Sequence, residues 1–386
     1  MDNLISLHRA EYGREPEIVA SAPGTINLVG EHTDPNDGIV IEASVDRLIH
    51  VAISRRDDNS LRFYAANLNE RKRTTIQNLK FRREDRWANY SKGVLYELMQ
   101  LGYDFSGFDL TVTSDIPPGI GLGSSAAFGV ASALALSELF GVNPSEFQVV
   151  QSAAMAELSF MGIGTSLSDH LVSTVSKEDS CVYLDLRDLS YEYVPLEFPG
   201  VQFVVTASNV PNVSPHRELA LRQAKCNDAI SELRGRNFGG ALRDLRSEDA
   251  REMFDGLNED VRRLCTHVVE ENERVRVGKR LLLQGDLDQF GKMLTRSQDS
   301  LRDNYEVSCP EIDWLIKRAG EISGIFGSRM GGPGFGGCTV SIMRADVVDQ
   351  YRHNIEEYER IFGFKPEVFE LVSVSGARSA STLVNR

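Results

Sequence analysis

A glycine-rich segment at residues 117–127, PPGIGLGSSAA, constrains this chain more than any other stretch of its sequence. The alternating residues 108–114 before it are typical of a β-strand, and the apolar residues 124–140 after it predict a helix. Because glycine has no side chain, the backbone of such a loop can approach an anion closely. The N-terminus of the following helix offers unpaired N–H groups and the positive end of a dipole. The segment therefore predicts a site for the phosphates of a nucleotide.

The loop differs from two other known kinds of phosphate-binding loop. A Walker A loop ends in Gly-Lys-Ser or Gly-Lys-Thr, whereas two serines follow the last glycine here. Gly121, Gly123 and Ala126 fit the relaxed dinucleotide spacing. However, residues 143–145 start a second helix where a strand ending in a ribose-binding acid is needed. Taken by itself, the loop is equally consistent with an ordinary glycine turn that binds no phosphate.

A second polar cluster lies in the turn-rich segment 30–38, which joins two stretches of β-forming residues at 17–21 and 39–54. Glu31, His32 and Asp34 crowd two carboxylates and an imidazole into four positions. Side chains of this kind can hold several hydroxyl groups of a sugar at once. The alternative is an Asx-type turn whose charges are solvated.

A third segment, 327–339, is again dense in glycine and has the sequence GSRMGGPGFGGCT. Its glycines predict a backbone that folds tightly against another part of the molecule. A flexible linker is the alternative. It is disfavoured because Phe335 and the strand predicted over 338–342 are expected to pack.

Length and composition limit the class of protein. A chain of 386 residues favours two domains, and 41% hydrophobic and 25% charged residues are ordinary for a globular protein. The five cysteines are scattered without a CxxC pair, which argues against a disulfide framework or a structural zinc site and favours the cytoplasm. The net charge of −14 argues against nucleic-acid binding. Neither a signal peptide nor a membrane-spanning run is expected.

The elements follow an α+β order. Strand patterns dominate the first half, helical patterns dominate residues 217–305, and the tail 375–386 is predicted to be loosely ordered. Phe198-Pro199-Gly200 is the predicted seam between two domains, 1–200 and 201–386.

Together, and in this order, the three segments resemble the three motifs of the GHMP kinases, the family of galactokinase, homoserine kinase, mevalonate kinase and phosphomevalonate kinase. Residues 27–34, NLVGEHTD, are most similar to the galactokinase signature. The resemblance implies a two-domain GHMP kinase fold. Its N-terminal domain is ribosomal-protein-like α+β, its C-terminal domain is ferredoxin-like with helices and a sheet, and the active site lies between them.

The resemblance also implies roles for individual residues. Asp169 matches the catalytic aspartate, which serves as a base or orienting group near the acceptor hydroxyl. Mg²⁺ is expected on the Ser125 hydroxyl and the Glu157 carboxylate. The sugar is expected to be bound by Glu31, His32 and Asp34. The ATP phosphates are expected at Gly119, Gly121, Leu122, Gly123, Ser124, Ser125 and Ala126.

Two positions depart from the galactokinase pattern. Thr25 stands where the family carries an arginine that is thought to pair with the catalytic aspartate, and Arg217, Arg222 and Arg329 are the candidates to replace that cation. In the segment 208–219, Leu219 stands where the family has a sugar-contacting tyrosine. Losing a hydrogen-bond partner at that position changes which substrate is accepted.

The expected activity is therefore ATP-dependent phosphorylation of galactose or a related sugar at its anomeric hydroxyl. The alternatives are a GHMP kinase for a non-sugar alcohol such as mevalonate, and a catalytically silent sugar sensor. The expected partners are the sugar and ATP, without nucleic acid or membrane, and the sequence does not decide between a monomer and a dimer.

Overall fold

The computed structural model describes residues 2–211, 216–235 and 238–382. Its strands form two sheets. In chain order they are β1 (Ile18–Val29), β2 (Ile39–Arg55), β3 (Ser60–Ala65), β4 (Glu70–Thr75), β5 (Phe108–Ser114), β6 (Ser180–Asp185), β7 (Tyr191–Pro195), β8 (Val201–Ala207), β9 (Ile325–Gly331), β10 (Cys338–Arg344), β11 (Glu367–Glu370) and β12 (Arg378–Ser381).

The helices cover the faces and ends of these sheets. They are α1 (Asp2–Tyr12), α2 (Ala88–Gln100), α3 (Ser124–Phe140), α4 (Glu146–Met155), α5 (Leu167–Val175), α6 (His216–Arg234), α7 (Ser247–Met253), α8 (Glu259–Gln284), α9 (Leu287–Asp303), α10 (Pro310–Gly320), α11 (Val348–Asn354) and α12 (Glu357–Phe362). A π-helix, Ala156–Met161, continues α4. Within the described ranges, none of the helices has both the length and the apolar character that crossing a membrane requires.

The larger sheet has the order β12-β1-β2-β5-β3-β4, with β6 and β7 attached beside β2. β2 is its central element: it pairs antiparallel with β1 along most of its length, with β6 through Ile39–Glu42 and with β5 through Ile49–Arg55. The register between β1 and β2 shifts on either side of Thr25–Asn27. Such irregularities bend a strand locally. In β1, these shifts set the direction in which the strand enters the turn 30–38.

Helix α3 is buried on nearly every side and packs against β1 and β2. Its many alanines allow close approach to neighbouring elements. At Gly129, an added Cβ would lie 3.0 Å from the Cβ of Ala153 on α4. The glycine loop before α3 is therefore fixed at the end of a helix that belongs to the hydrophobic core.

The smaller sheet has the order β11-β8-β10-β9 and carries the third glycine segment between β9 and β10. Helix α9 lies directly on β9, because a Cβ at Gly327 would lie 1.9 Å from the carbonyl oxygen of Gly291. This contact leaves no room for a side chain. It positions β9, and hence the third segment, against the rest of the molecule.

Several predicted elements are confirmed at their predicted bounds, including the strand over 108–114 and the helix over 124–140. The helix predicted to start at residues 143–145 begins with a capping box at Ser145. The tail prediction was wrong for 378–381, which pair with β1 as strand β12, while residues 383–386 lie outside the described residues. This short polar strand carries no local signal, because its pairing partner lies more than 300 residues away in the sequence. The division at residue 200 stays a prediction.

Candidate active site

The glycine loop presents the N-terminus of a buried helix. Gly119, Gly121 and Gly123 have φ values of 75°, 78° and 56°, a region that favours glycine. Gly123 is the N-cap of α3 and supplies no side-chain cap. The N–H groups of the first helical turn therefore keep their capacity to bind an anion.

The residues around the last glycine of the loop differ in what they present. Ser124, Ser125 and Ala126 are the first three residues of α3. The side chain of Leu122 lies in the hydrophobic core, and its carbonyl oxygen accepts a hydrogen bond from the Thr25 N–H at 3.2 Å. Leu122 therefore contributes only its backbone to the surface of the loop.

Asp169 lies where the glycine loop meets β1. It belongs to the first turn of α5, and its Oδ1 accepts a hydrogen bond of 2.5 Å from the Thr25 hydroxyl. A Cβ at Gly123 would lie 2.3 Å from the Thr25 Oγ1 and 3.2 Å from the Asp169 Oδ1. The predicted phosphate end and the predicted acceptor end of the site therefore come together at Asp169.

Glu31 is paired with an arginine from the other sheet. Arg329 on β9 is fully buried, and it donates hydrogen bonds to Glu31 Oε2 at 3.2 Å and to Asn27 Oδ1 at 3.1 Å. Burial raises the pKa of Glu31 to about 8; Arg329 opposes this shift, and Asp169 and Asp34 add to it. The buried Arg329 therefore balances part of the negative charge that is concentrated in this region.

His32 and Asp34 complete the polar turn. His32 has a φ of 63°, its ring stacks on Tyr305 with 4.6 Å between centroids, and among the described residues its buried Nε2 has no hydrogen-bond partner. Burial lowers the pKa of His32 well below its usual value, so the ring is neutral. Burial also raises the pKa of Asp34 to about 6, with a contribution from Asp169. The backbone strain and the unused hydrogen-bonding capacity are typical of a ligand site.

Three residues of α8 hold this turn from the second half of the chain, and none of them was singled out in the sequence. Glu271 Oε1 accepts a hydrogen bond from the Gly30 N–H at 3.0 Å, and Asn272 Oδ1 accepts one from the Ile39 N–H at 2.9 Å. The Nε2 of His267 lies 3.1 Å from the Glu31 carbonyl oxygen. The sequence of α8 indicates a charged helix, and only the packing shows that these polar groups point inward.

We expect the substitution Glu271→Gln to destabilise the protein in a pH-dependent way. Glu271 is fully buried, and its pKa is lowered to about 2: burial opposes this, but Arg274, His267, Arg329 and the Gly30 N–H outweigh it. Because this pKa lies below that of the unfolded chain, the ionised group contributes about 3 kcal/mol to the free energy of unfolding at neutral pH. That contribution is lost as the pH falls from about 4.5 towards 2.

Urea unfolding of the wild type and of Glu271→Gln between pH 7 and pH 3 measures this difference. The matched control is Glu273→Gln, an exposed position on the same helix, where a change below about 0.5 kcal/mol is expected. Equal effects of the two substitutions at pH 7 would show that Glu271 does not stabilise the turn.

The predicted metal ligand Glu157 is buried in the π-helix. Its Oε1 lies 3.2 Å from the Nε2 of His170. Burial opposes protonation of this histidine, but the hydrogen bond and the charge of Glu157 outweigh burial and raise the pKa of His170. In the described part of the chain, no three His, Cys, Asp or Glu side chains are grouped as a metal site.

The third glycine segment closes against the glycine loop. A Cβ at Gly121 would lie 2.9 Å from the Cα of Gly332, and one at Gly337 would lie 3.2 Å from the carbonyl oxygen of Ile120. Both contacts are backbone against backbone. The segment between β9 and β10 therefore packs directly against the glycine loop.

The candidate arginines lie in different places. Arg329 pairs with Glu31, Arg222 donates hydrogen bonds to the carbonyl oxygens of Tyr305 and Glu306, and Arg217 is exposed on α6. Among the residues that the structure describes, none of the three forms an ion pair with Asp169.

The second departure from the family pattern lies on α6. Leu219 is partly buried and packs against the apolar cluster that includes Tyr305. Residues 212–215 of the same segment lie outside the described residues. The Leu219 side chain thus contributes to packing and offers no hydroxyl group.

Comparison with known proteins identifies the family to which this chain belongs. The galactokinase galactose-binding signature matches residues 6–55, the GHMP kinases N terminal domain matches 89–177, and the GHMP kinases C terminal model matches 279–360. A galactokinase of Roseiflexus sp. is 37% identical over 90% of this chain and 88% of the relative. A galactokinase of Bacillus subtilis is 33% identical over 92% of this chain and 93% of the relative.

Solved structures agree with this relationship. The crystal structure of Lactococcus lactis galactokinase complexed with galactose superposes with a TM-score of 0.92 at 28% identity, and the match covers 98% of this chain and 99% of that one. A mevalonate kinase structure superposes with a TM-score of 0.63 at 16% identity, covering 92% and 99%, and shares the fold alone. The α+β, two-domain GHMP kinase fold predicted from the sequence is confirmed. This chain therefore belongs to the galactokinase branch of the GHMP kinase family and is an ATP-dependent sugar kinase.

Proposed function

We propose that the protein transfers the γ-phosphoryl group of ATP to the anomeric hydroxyl of galactose or a closely related sugar. The Roseiflexus and Bacillus relatives are galactokinases, and the Lactococcus galactokinase was solved with galactose. The observation that carries the proposal is the contact between Gly123 and the Thr25–Asp169 pair. This contact places the Asp169 carboxylate directly beside the loop that is proposed to bind the phosphates of ATP.

The phosphates of ATP are proposed to lie on the N–H groups at the start of α3. Three features support this: the left-handed glycines of the loop, the absence of a side-chain cap at Gly123, and the close cover by the third glycine segment. N–H groups fixed by a buried helix can stabilise the charge of a transferring phosphoryl group without rearranging.

Asp169 is proposed to accept the proton of the sugar hydroxyl as it attacks. The hydrogen bond from Thr25 supports this role, because it fixes the orientation of the carboxylate. A carboxylate suffices as a base when the proton moves late in phosphoryl transfer.

Mg²⁺ is proposed to be held by Ser125 and Glu157. Oxygen donors are the ligands that this ion prefers, and few protein ligands are needed when phosphates supply the others. The contact between Gly129 and Ala153 brings α3 and α4 together one turn from each of these residues. When bound, the ion neutralises charge on the phosphates of ATP.

The sugar is proposed to be held by Glu31, His32 and Asp34. The free hydrogen-bonding capacity of the neutral His32 ring supports this assignment, as do two carboxyl groups whose pKa values are raised by burial. Carboxyl oxygens and a neutral imidazole can each form hydrogen bonds with a sugar hydroxyl.

Measuring ADP release over a panel of monosaccharides, with mevalonate and homoserine as controls, tests the proposal. We expect turnover to be fastest with galactose or a sugar that differs from it at one position. The product is expected to be a 1-phosphate, which has lost its reducing end. Turnover on mevalonate alone, or a product phosphorylated at another hydroxyl, would contradict the proposal. Sugar binding without turnover would instead indicate a sensor.

A further inference from the structure

Glu42 is a buried acid beside the active site that the mechanism above does not use. It lies on β2, opposite Asn27 of β1 and Val182 of β6 in the strand registers, and is 1% exposed. Among the described residues, neither of its carboxyl oxygens has a hydrogen-bond partner of good geometry. A buried carboxylate without a partner is costly, so an unpaired acid at this depth requires an explanation.

The surroundings of Glu42 identify what it faces. Asp169 and Ser168 approach from α5, and the Thr25 hydroxyl approaches from β1. Asp169 is the ionisable group in this set. A carboxylate close to another carboxylate is repelled by it, which favours a proton on the more deeply buried of the two acids.

The proton belongs on Glu42. Asp169 is partly exposed and accepts a hydrogen bond from the Thr25 hydroxyl at 2.5 Å. Glu42 is more deeply buried, and the nearby Thr25 and Ser168 hydroxyls form no hydrogen bond of good geometry with it, although both oppose the rise of its pKa. Both burial and the nearby Asp169 raise the pKa of Glu42 well above its usual value, which agrees with this assignment.

We propose that Glu42 is a positioning residue for Asp169: its protonated carboxyl group donates towards the Asp169 carboxylate and, together with Thr25, holds it in place. The family pattern has at position 25 an arginine that is thought to pair with the catalytic aspartate, and this chain has Thr25 instead. A hydroxyl and a neutral acid can orient a carboxylate without adding a positive charge. The inference rests on the proposed role of Asp169.

Kinetic pH profiles of Glu42→Ala and Glu42→Gln test this inference. We expect Glu42→Ala to lower kcat about tenfold to a hundredfold, with little change in the KM of the sugar. A misplaced base slows the chemical step more than it weakens the binding of the sugar. Glu42→Gln retains a neutral donor and is expected to recover most of that loss. The wild-type kcat is expected to fall at alkaline pH as Glu42 ionises beside Asp169, and Glu42→Gln removes that fall.

Glu97→Gln on α2 is the matched control, because burial also raises the pKa of Glu97 and it takes no part in the site. It should keep the wild-type profile. Superimposable profiles of Glu42→Gln and the wild type, or a wild-type kcat for Glu42→Ala, would overturn the inference.

Thermal unfolding provides a readout that does not depend on activity. The folded protein holds the Glu42 proton to a higher pH than the unfolded chain, so wild-type stability decreases as the pH rises above about 4.5. Glu42→Gln cannot ionise. Its Tm is therefore expected to exceed that of the wild type at pH 8, with the gap closing towards pH 5. A gap that does not vary with pH overturns the inference.

The two proposals fail in different ways. If Asp169→Asn keeps its activity, the proposed role of Asp169 is wrong, whatever the Glu42 variants do. If Asp169→Asn is inactive while the Glu42 variants match the wild type in rate, pH profile and Tm, only the inference about Glu42 is wrong.

Discussion

Replacing Asp169 by asparagine is expected to lower kcat by a factor of about 10² to 10⁴, the range that a well-placed general base contributes. The asparagine side chain keeps the shape of the aspartate and can still accept the Thr25 hydrogen bond, so the fold should be retained. It cannot take up the proton of the sugar hydroxyl. Steady-state ADP release at saturating sugar and ATP measures the loss, and the KM of the sugar should change much less than kcat.

The control for this substitution is Asp115→Asn. Asp115 is largely exposed and lies beside His50, two residues before the glycine segment begins. It should retain wild-type turnover and a similar Tm. A loss of less than about threefold in Asp169→Asn, with a normal Tm, would contradict a role in proton transfer and would leave Asp169 as a residue that only supports the loop.

The substitution Gly123→Ala is expected to lower kcat/KM at least about a hundredfold, since a 1 Å misplacement at a reacting centre can cost that much. Its φ of 56° strains any L-residue, and the added Cβ would lie 2.3 Å from the Thr25 hydroxyl and 3.2 Å from Asp169. The collision displaces the loop or the Thr25–Asp169 pair, and either movement separates the phosphate-binding N–H groups from the base. The same ADP-release assay measures the effect.

Gly141 offers a matched control at the opposite end of the same helix. It has a φ of 66°, and a Cβ there meets nothing within 4 Å. Gly141→Ala should therefore cost about 1–2 kcal/mol of stability from backbone strain alone, without loss of activity. Similar kcat/KM values for the two variants would show that the contact between Gly123 and Thr25 is irrelevant to turnover.

The elements predicted correctly from the sequence are those with a local signal. The alternation of 108–114, the apolar run of 124–140 and the capping residue Ser145 each report on their own neighbourhood, and each element lies where it was predicted. The three segments 117–127, 30–38 and 327–339 identify the family for a related reason. Glycines at left-handed φ values and backbone contacts too tight for a side chain leave few sequence alternatives.

The groups that could not be detected from the sequence contact residues that lie far from them along the chain. Glu271 and Asn272 lie more than 230 residues from the turn that they hold, and β12 pairs with a strand near the opposite terminus. No periodic pattern links such positions. The side chains of α8 have the composition of a solvated helix face, although some of them are fully buried.

The sequence by itself determined the fold family and the class of reaction and predicted the loop for the phosphates, because these depend on local backbone requirements and on contiguous motifs. Only the tertiary structure decided which charged groups of the site are paired and which are buried. It pairs Arg329 with Glu31, joins Asp169 to Thr25 by a hydrogen bond and buries the Glu42 carboxyl group on β2 without a hydrogen-bond partner among the described residues. These relations depend on strand register and helix packing, since burial and distance set the interaction between charges, and neither can be read from residue order.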